Sequence, residues 1–199
     1  EDNELISRRE DGKKAGEFEY GKVMIGREGR GDCVGLEVVR GDDVSRGTLL
    51  LVRPESHGRA LTPDGEVDQA VRSLAGRGYR VVLVGGYASG ELAISREKWD
   101  SFSWPDAYNR SNEQLGIQDI VTALCHAEKT WPGERITLAG VGRCGLLAGF
   151  AGAVQGGAGM VLADLDGANP VYDKELLARL PVAGIKRVGD FRTAALLLM

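Results

Sequence analysis

Three glycines and a cysteine between residues 140 and 145 have a spacing that is typical of a catalytic or phosphate-binding turn. Gly140, Gly142, Cys144 and Gly145 follow an apolar run over residues 135–139 and precede a helix-like run over residues 146–155. This order predicts a buried strand, a sharp turn and a helix. Such a turn presents a nucleophile above a sheet in a G-x-S-x-G motif, or binds a pyrophosphate in a G-x-G-x-x-G motif.

The first interpretation puts Gly142 at the nucleophile position, where it has no side chain with which to attack an acyl group. A shift by two residues offers Cys144 as a thiol nucleophile, but Leu146 then replaces the glycine that lets the helix pack closely on the strand. We therefore favour a buried structural role for Cys144. Ser56 and Ser89, with His57 as a base, are weaker candidates because residues adjacent in sequence rarely point at each other.

The second interpretation is a dinucleotide site on Gly140, Gly142 and Gly145. Asp164 ends the next strand-like run, at about the distance where an acid that contacts a ribose is found. Against it, most of the strands precede this turn, and too little chain follows to build the second half of a dinucleotide-binding sheet. It stays as the alternative.

The elements that position this turn alternate between strand and helix. An antiparallel pair over 17–25 and 33–40 leads to buried strands over 47–53 and 79–84, and a last strand-like run covers 159–164. Helices are predicted after caps at Asp64 and Asn112, after the turn, and over 173–180 and 190–199. The prediction is a three-layer α/β/α sandwich with a mostly parallel sheet and an antiparallel N-terminal strand pair.

Ligands in such a sheet bind beyond the carboxyl ends of the strands, so the loops found there should form one crevice. Arg143, at the start of a helix, could meet an anionic ligand, although a solvated arginine is favoured. Asp164 and Asp166 could form an acid pair, although turn and cap roles are commoner. His126, near a helix end, is expected to be structural and partly exposed. The predicted crevice residues are His57, Gly58, Gly86, Tyr87, Arg143 and Asp164.

The long stretch over residues 85–111 breaks the alternation and carries five large or rigid residues: Trp99, Phe102, Trp104, Pro105 and Tyr108. Insertions of this kind are usually lids or binding loops. A surface excursion whose aromatic side chains fill a gap is an equal alternative.

Two further segments carry a family resemblance: Tyr108-Asn-Arg110 before a helix with Gln118-Asp119-Ile120, and the run over residues 184–190. With the element order, they make the chain resemble the acetyl xylan esterase-like branch of the α/β hydrolases over roughly residues 17–199. The resemblance implies ester hydrolysis through a serine ester, and an acid and a histidine on loops after two further strands.

This chain departs from the family pattern at both points. Glycine replaces the serine, and no histidine follows His126. We therefore expect the last two strands of the fold to be missing and esterase activity to be weak or absent, with a non-catalytic carbohydrate or small-molecule binding module as the alternative. A last strand without a neighbour would expose an unpaired edge, so we expect terminal helices or a second copy to cover it.

Composition limits the remaining classes. The chain has 199 residues, of which 43% are hydrophobic, and a net charge of −4; this predicts one domain over 17–199 after a loose lead-in over 1–16, and disfavours nucleic acid and anionic membranes as partners. Apolar runs are too short to cross a bilayer, and the N-terminus does not resemble a signal peptide. The three cysteines suggest neither disulfides nor a zinc site. No cofactor or metal is predicted, and the compartment stays open.

Overall fold

A mixed sheet of eight strands forms the centre of the fold in the computed structural model, which describes residues 5–9, 12–29, 33–54, 59–85, 111–165, 167, 169, 172–182, 185 and 189–199. The strands are β1 Leu5–Arg9, β2 Lys13–Ala15, β3 Phe18–Arg27, β4 Val34–Arg40, β5 Thr48–Val52, β6 Arg80–Val84, β7 Ile136–Gly140 and β8 Met160–Ala163. The helices are α1 Gln69–Ala75, α2 Asn112–Thr130, α3 Cys144–Gln155, α4 Asp173–Arg179 and α5 Phe191–Leu197.

The strands lie in the order β1-β3-β4-β6-β5-β7-β8, with β2 also paired to β3. The pairs from β1 to β6 in this order are antiparallel, and β6, β5, β7 and β8 run parallel to one another. Every residue of β5 and β6 is buried, as their continuous apolar runs predict for strands covered on both faces. The predicted α/β/α class is confirmed.

The predicted loose lead-in over residues 1–16 is wrong for two stretches, because β1 and β2 are both paired antiparallel to β3. β3 is ten residues long, and its backbone donors and acceptors need partners along that edge. β1 supplies them from Leu5↔Arg27 to Arg9↔Val23. Pairing with β3, rather than a hydrophobic pattern of its own, makes this segment extended.

Helices cover both faces of the sheet. On one face, α2 and α3 pack on a core that contains Leu50, Val82 and Leu138; on the other, α1 packs on Val39, Val81 and Leu83. Beyond α3, a smaller cluster joins Leu146 to α4 and to Phe191 of α5. In the described part of the chain, no helix is both long and apolar enough to cross a membrane.

Two predicted helix caps are wrong by a few residues. α1 is capped by Asp68 rather than Asp64, since the Asp68 carboxylate accepts hydrogen bonds from the N–H groups of Ala70 and Val71, both at 3.2 Å. α2 is capped by Ser111 rather than Asn112, in a reciprocal capping box with Gln114. The S-x-x-Q spacing that identifies this box is present in the sequence.

Candidate active site

The carboxyl ends of the parallel strands meet at one edge of the sheet, as predicted. The register places Val52 of β5 beside Gly140 of β7, and Gly140 beside Ala163 of β8. Pro54, Gly142 and Asp164 follow directly on these strands. Four predicted crevice residues lie outside the described residues, and so do the serine and second-acid candidates: His57, Gly58, Gly86, Tyr87, Ser56, Ser89 and Asp166.

Gly142 stands at the bend between β7 and α3 in a left-handed conformation, with φ at +58°. A Cβ atom added to it would meet only the Cγ of Pro54, at 3.7 Å. The position where an elbow presents its nucleophile is therefore sterically open but carries no side chain. The assignment of Gly142, rather than Cys144, to the elbow position stays a prediction.

Gly140 and Gly145, on either side of the bend, have no such space. A Cβ on Gly140 would lie 2.5 Å from the carbonyl oxygen of Cys144 and 2.6 Å from the Cβ of Ala148. A Cβ on Gly145 would overlap the backbone of Asp164. These two glycines let α3 start directly against β7 and the end of β8, so they fix the shape of the turn whatever residue stands between them.

Asp164 reaches the bend from the end of β8. Its Oδ2 accepts a hydrogen bond of 3.0 Å from the backbone N–H of Gly142, and its own backbone N–H donates to the carbonyl of Gly140 at 2.9 Å. A carboxylate thus lies at the centre of the turn. A phosphate group on the same N–H would meet this negative charge.

Cys144 is the first residue of α3 and is half-buried. Burial raises the pKa of its thiol, and the nearby positive charge of Arg143 offsets only part of that effect. The thiolate, rather than the thiol, is the nucleophilic form, so the environment of Cys144 does not activate it. Arg143 is exposed, and its side chain makes no capping hydrogen bond.

His126, one of the two histidines of the chain, lies far from the bend. Gln155, the last residue of α3, donates to Glu128 of α2 at 2.7 Å, so the C-terminal ends of the two helices are packed together. The twelve residues of α3 put about 16 Å of helix between Cys144 and this end. His126 is therefore no base for Cys144.

The structural role predicted for His126 agrees with its contacts. Its Nε2 lies 3.2 Å from the hydroxyl of Thr130, and its ring meets that of Trp131 edge-on with centroids 6.2 Å apart. It is buried, 9% exposed, rather than partly exposed as predicted, and this burial lowers the pKa of the imidazole.

A group that sequence reasoning missed anchors the chain on both sides of residues 55–58. Arg53 forms an ion pair of 3.1 Å with Asp68 and donates to the carbonyl of Arg59 at 3.1 Å. Glu37 of β4 accepts from the N–H of Ala60 at 2.6 Å. Burial alone would raise the pKa of Asp68, but the Arg53 hydrogen bond and charge, with two backbone donors, lower it overall. The sequence feature that could have indicated this group is Arg53, a charged residue directly before Pro54 at the end of a buried strand.

No three histidine, cysteine or acidic side chains converge as metal ligands within the described ranges. The turn as described therefore offers backbone donors, one carboxylate and an unactivated thiol. The N–H of Arg143, at the start of α3, is the donor that an elbow would direct at an oxyanion.

The fold is similar to that of solved carbohydrate esterases. A glucuronoyl esterase from Solibacter usitatus matches with a TM-score of 0.63 at 15% identity, over 98% of this chain and 65% of that chain. A promiscuous CE15 esterase from a marine bacterial metagenome gives 0.67 at 12% identity, over 98% and 65%. Acetyl xylan esterase 1 from Thermoanaerobacterium sp. JW/SL YS485 gives 0.58 at 11% identity, over 98% and 66%.

No protein-family model matches the sequence, and no curated protein sequence is significantly similar to it. The likeness is therefore one of fold, and the chain spans just under two thirds of the length of the esterases it matches. The fold is the α/β-hydrolase fold in the form seen in acetyl xylan and glucuronoyl esterases, which confirms the predicted resemblance.

Proposed function

We propose that this chain binds a small acylated ligand, of the carbohydrate ester class, at the carboxyl edge of its parallel strands and hydrolyses it weakly or not at all. The observation that carries the proposal is Gly142, a residue without a side chain at the elbow of an α/β-hydrolase fold. The esterases of similar fold support the ligand class.

Ester hydrolysis needs an activated nucleophile, a base to take its proton, and donors for the developing oxyanion. Of these three requirements, the described residues at the elbow supply only a candidate donor, the N–H of Arg143. Burial raises the pKa of the Cys144 thiol, which disfavours the thiolate, and His126 lies at the other end of α3. Binding without turnover needs none of the missing groups.

Binding and turnover can be tested together with an acetylated xylo-oligosaccharide and its deacetylated counterpart. The proposal predicts that the acetylated ligand raises the melting temperature of the protein while acetate release stays at the uncatalysed rate. A Gly142→Leu variant should lose this stabilisation, because its side chain would extend into the crevice. Gly16→Leu is the matched control, since Gly16 also has a positive φ, +64°, and open surroundings, in the tight connection between β2 and β3.

Three results would contradict the proposal. Acetate release well above background would show an active enzyme, and loss of that release in Cys144→Ala would identify a thiol nucleophile. Stabilisation by NAD, followed through tryptophan fluorescence, would favour the dinucleotide alternative. Absence of stabilisation by the acetylated ligand would remove the binding role.

The outer edge of β8 supports the expectation that the chain associates with itself. Among the described strands β8 pairs only with β7, and α5 packs against α3. Met160 and Leu162 are 39% and 51% exposed, and the strand carries no charge that would repel a second copy. We propose a dimer through this edge; light scattering that gives a monomer at micromolar concentration would contradict it.

A further inference from the structure

A cavity of about 260 Å³ lies at the opposite end of the sheet from the elbow, on the face covered by α2. Its walls come from β3, β4, the start of β6 and the C-terminal end of α2. The end of α2 is also the end nearest the amino ends of the parallel strands, so this cavity is separate from the crevice of the proposed function. Its volume is below the roughly 300–1,000 Å³ of pockets for drug-sized ligands, which limits an occupant to a small molecule.

The cavity exists because a side chain is missing in the middle of β3. Gly21 is buried, yet a Cβ added to it would find its nearest neighbour, the Cα of Gly12, 4.0 Å away. Val23, two residues further along β3, and Val38, the partner of Gly21 in β4, form the apolar part of the cavity wall. A glycine inside a strand weakens it and often marks a place where another group approaches the backbone.

A buried guanidinium forms one wall. Arg80 is 8% exposed; its Nη1 lies 2.5 Å from Oε2 of Glu134 and 3.1 Å from the hydroxyl of Thr48. Its Cζ lies 4.5 Å from the centroid of the Trp131 ring, which holds the guanidinium plane in place. Both of these side-chain hydrogen bonds are made by Nη1, and Arg80 is one of the residues that line the cavity.

The remaining polar groups favour an occupant with a single negative charge. Glu134 already neutralises much of the charge of Arg80, and Glu19 at the rim is paired with Arg40 at 2.5 Å. A dianion would therefore meet two carboxylates. His126 adds a polar ring edge beside Thr130, and burial lowers the pKa of this imidazole, which disfavours its charged form.

We infer that this cavity binds a small monocarboxylate with a flat apolar body, of the benzoate class, whose ring lies on Val23 and Val38 beside Trp131 and whose carboxylate meets Arg80. Guanidinium donors match the geometry of a carboxylate, and the missing side chain at Gly21 leaves the space for the ring.

Titration calorimetry of the full chain with benzoate and with benzyl alcohol tests the inference, because the two share a ring and differ in charge. Benzoate should bind saturably and at least about tenfold more tightly than the alcohol, a difference of about 1.4 kcal/mol. Equal affinity would show that Arg80 does not recognise the carboxylate. Absence of benzoate binding up to about 10 mM would overturn the inference.

Gly21→Val should weaken benzoate binding by about tenfold or more, because its Cβ would have no neighbour closer than 4.0 Å and the side chain would occupy the space proposed for the ring. Gly35→Val in β4 is the matched control: its added Cβ would meet only the Met24 sulfur, at 3.6 Å, on the other face of the sheet, and binding should stay within about twofold. Unchanged binding in Gly21→Val would overturn the location.

The Gly142→Leu variant separates this site from the proposed function. It should bind benzoate as the unmodified chain does, while losing stabilisation by the acetylated ligand. Loss of benzoate binding in Gly142→Leu would place the benzoate at the elbow and overturn the inference.

Discussion

The carboxyl and amino ends of the parallel strands differ in what shapes them: backbone packing at one end and side chains around a cavity at the other. At the carboxyl end the turn between β7 and α3 is shaped by backbone contacts around Gly140 and Gly145, and its central position carries no side chain. At the amino end, a buried arginine, a glutamate, a histidine and a tryptophan surround a cavity. The comparison teaches that close packing at Gly140 and Gly145 can fix the geometry of this turn whatever residue stands at its centre.

The largest expected effect is a difference in the free energy of unfolding between substitutions at Gly145, which is closely packed, and at Gly142, which is not. Gly145→Ala should lower the free energy of unfolding by about 3 kcal/mol or more, because the added methyl group overlaps the Asp164 backbone. Gly142→Ala should cost only about 1 kcal/mol, for its positive φ. Urea denaturation measures both, and equal losses would mean that packing does not fix this turn.

The amino end can be tested through its ion pair. Glu134→Ala should destabilise the protein by about 2 kcal/mol, since it leaves the buried Arg80 without its partner. The control is Glu19→Ala at the rim, where both side chains of the ion pair with Arg40 are more than 40% exposed and the loss should stay below about 1 kcal/mol. Similar losses in urea denaturation would contradict a buried network at this end.

A smaller effect tests the cap of α2, the helix that connects the two ends. Ser111→Ala should cost about 1 kcal/mol, because it removes the hydroxyl that accepts from Gln114. Asn112→Ala, at the exposed residue that sequence reasoning chose as the cap, should change stability by less than about 0.5 kcal/mol. If thermal or urea unfolding ranks the two variants in the reverse order, the capping box is wrong.

The smallest expected effect is on the pH dependence of stability, where groups at the two ends act in different pH ranges. The folded pKa of His126 lies below the unfolded value of 6.5, so the unfolded chain binds the proton first and stability falls as pH drops below about 6.5. Asp68, near the carboxyl end, also has a folded pKa below its unfolded value, 3.8; its contribution is lost only below about that pH.

Melting temperatures between about pH 7.5 and pH 5 should therefore decline less in His126→Gln than in the unmodified chain, and by the same amount in Asp68→Asn. An unchanged decline in His126→Gln would show that another group titrates in this range.

Sequence patterns predicted the features that depend on short segments. Continuous apolar runs identified β5 and β6, and the spacing of Gly140 and Gly142 identified the turn between β7 and α3. β1 was not predicted because its extended form depends on pairing with β3. Asp64 and Asp68 have the same local propensity to cap a helix; what distinguishes them is Arg53, fifteen residues before Asp68 in the chain.

The amino-end cavity could not be predicted for a similar reason. From the sequence alone, Gly21 is only a glycine that weakens a strand. It lines a cavity because the C-terminal end of α2 lies over it. Arg80 begins an apolar run, but its partner Glu134 lies 54 residues further along the chain. Contacts between distant segments decide both features.

The central claim, that the elbow carries no working nucleophile, is tested most directly by rapid-mixing measurements with p-nitrophenyl acetate. An acyl-enzyme would release a burst of nitrophenol equal to the protein concentration. We predict no burst in the unmodified chain and the same trace in Cys144→Ala. A stoichiometric burst that disappears with Cys144, or one that remains without it, would contradict the account.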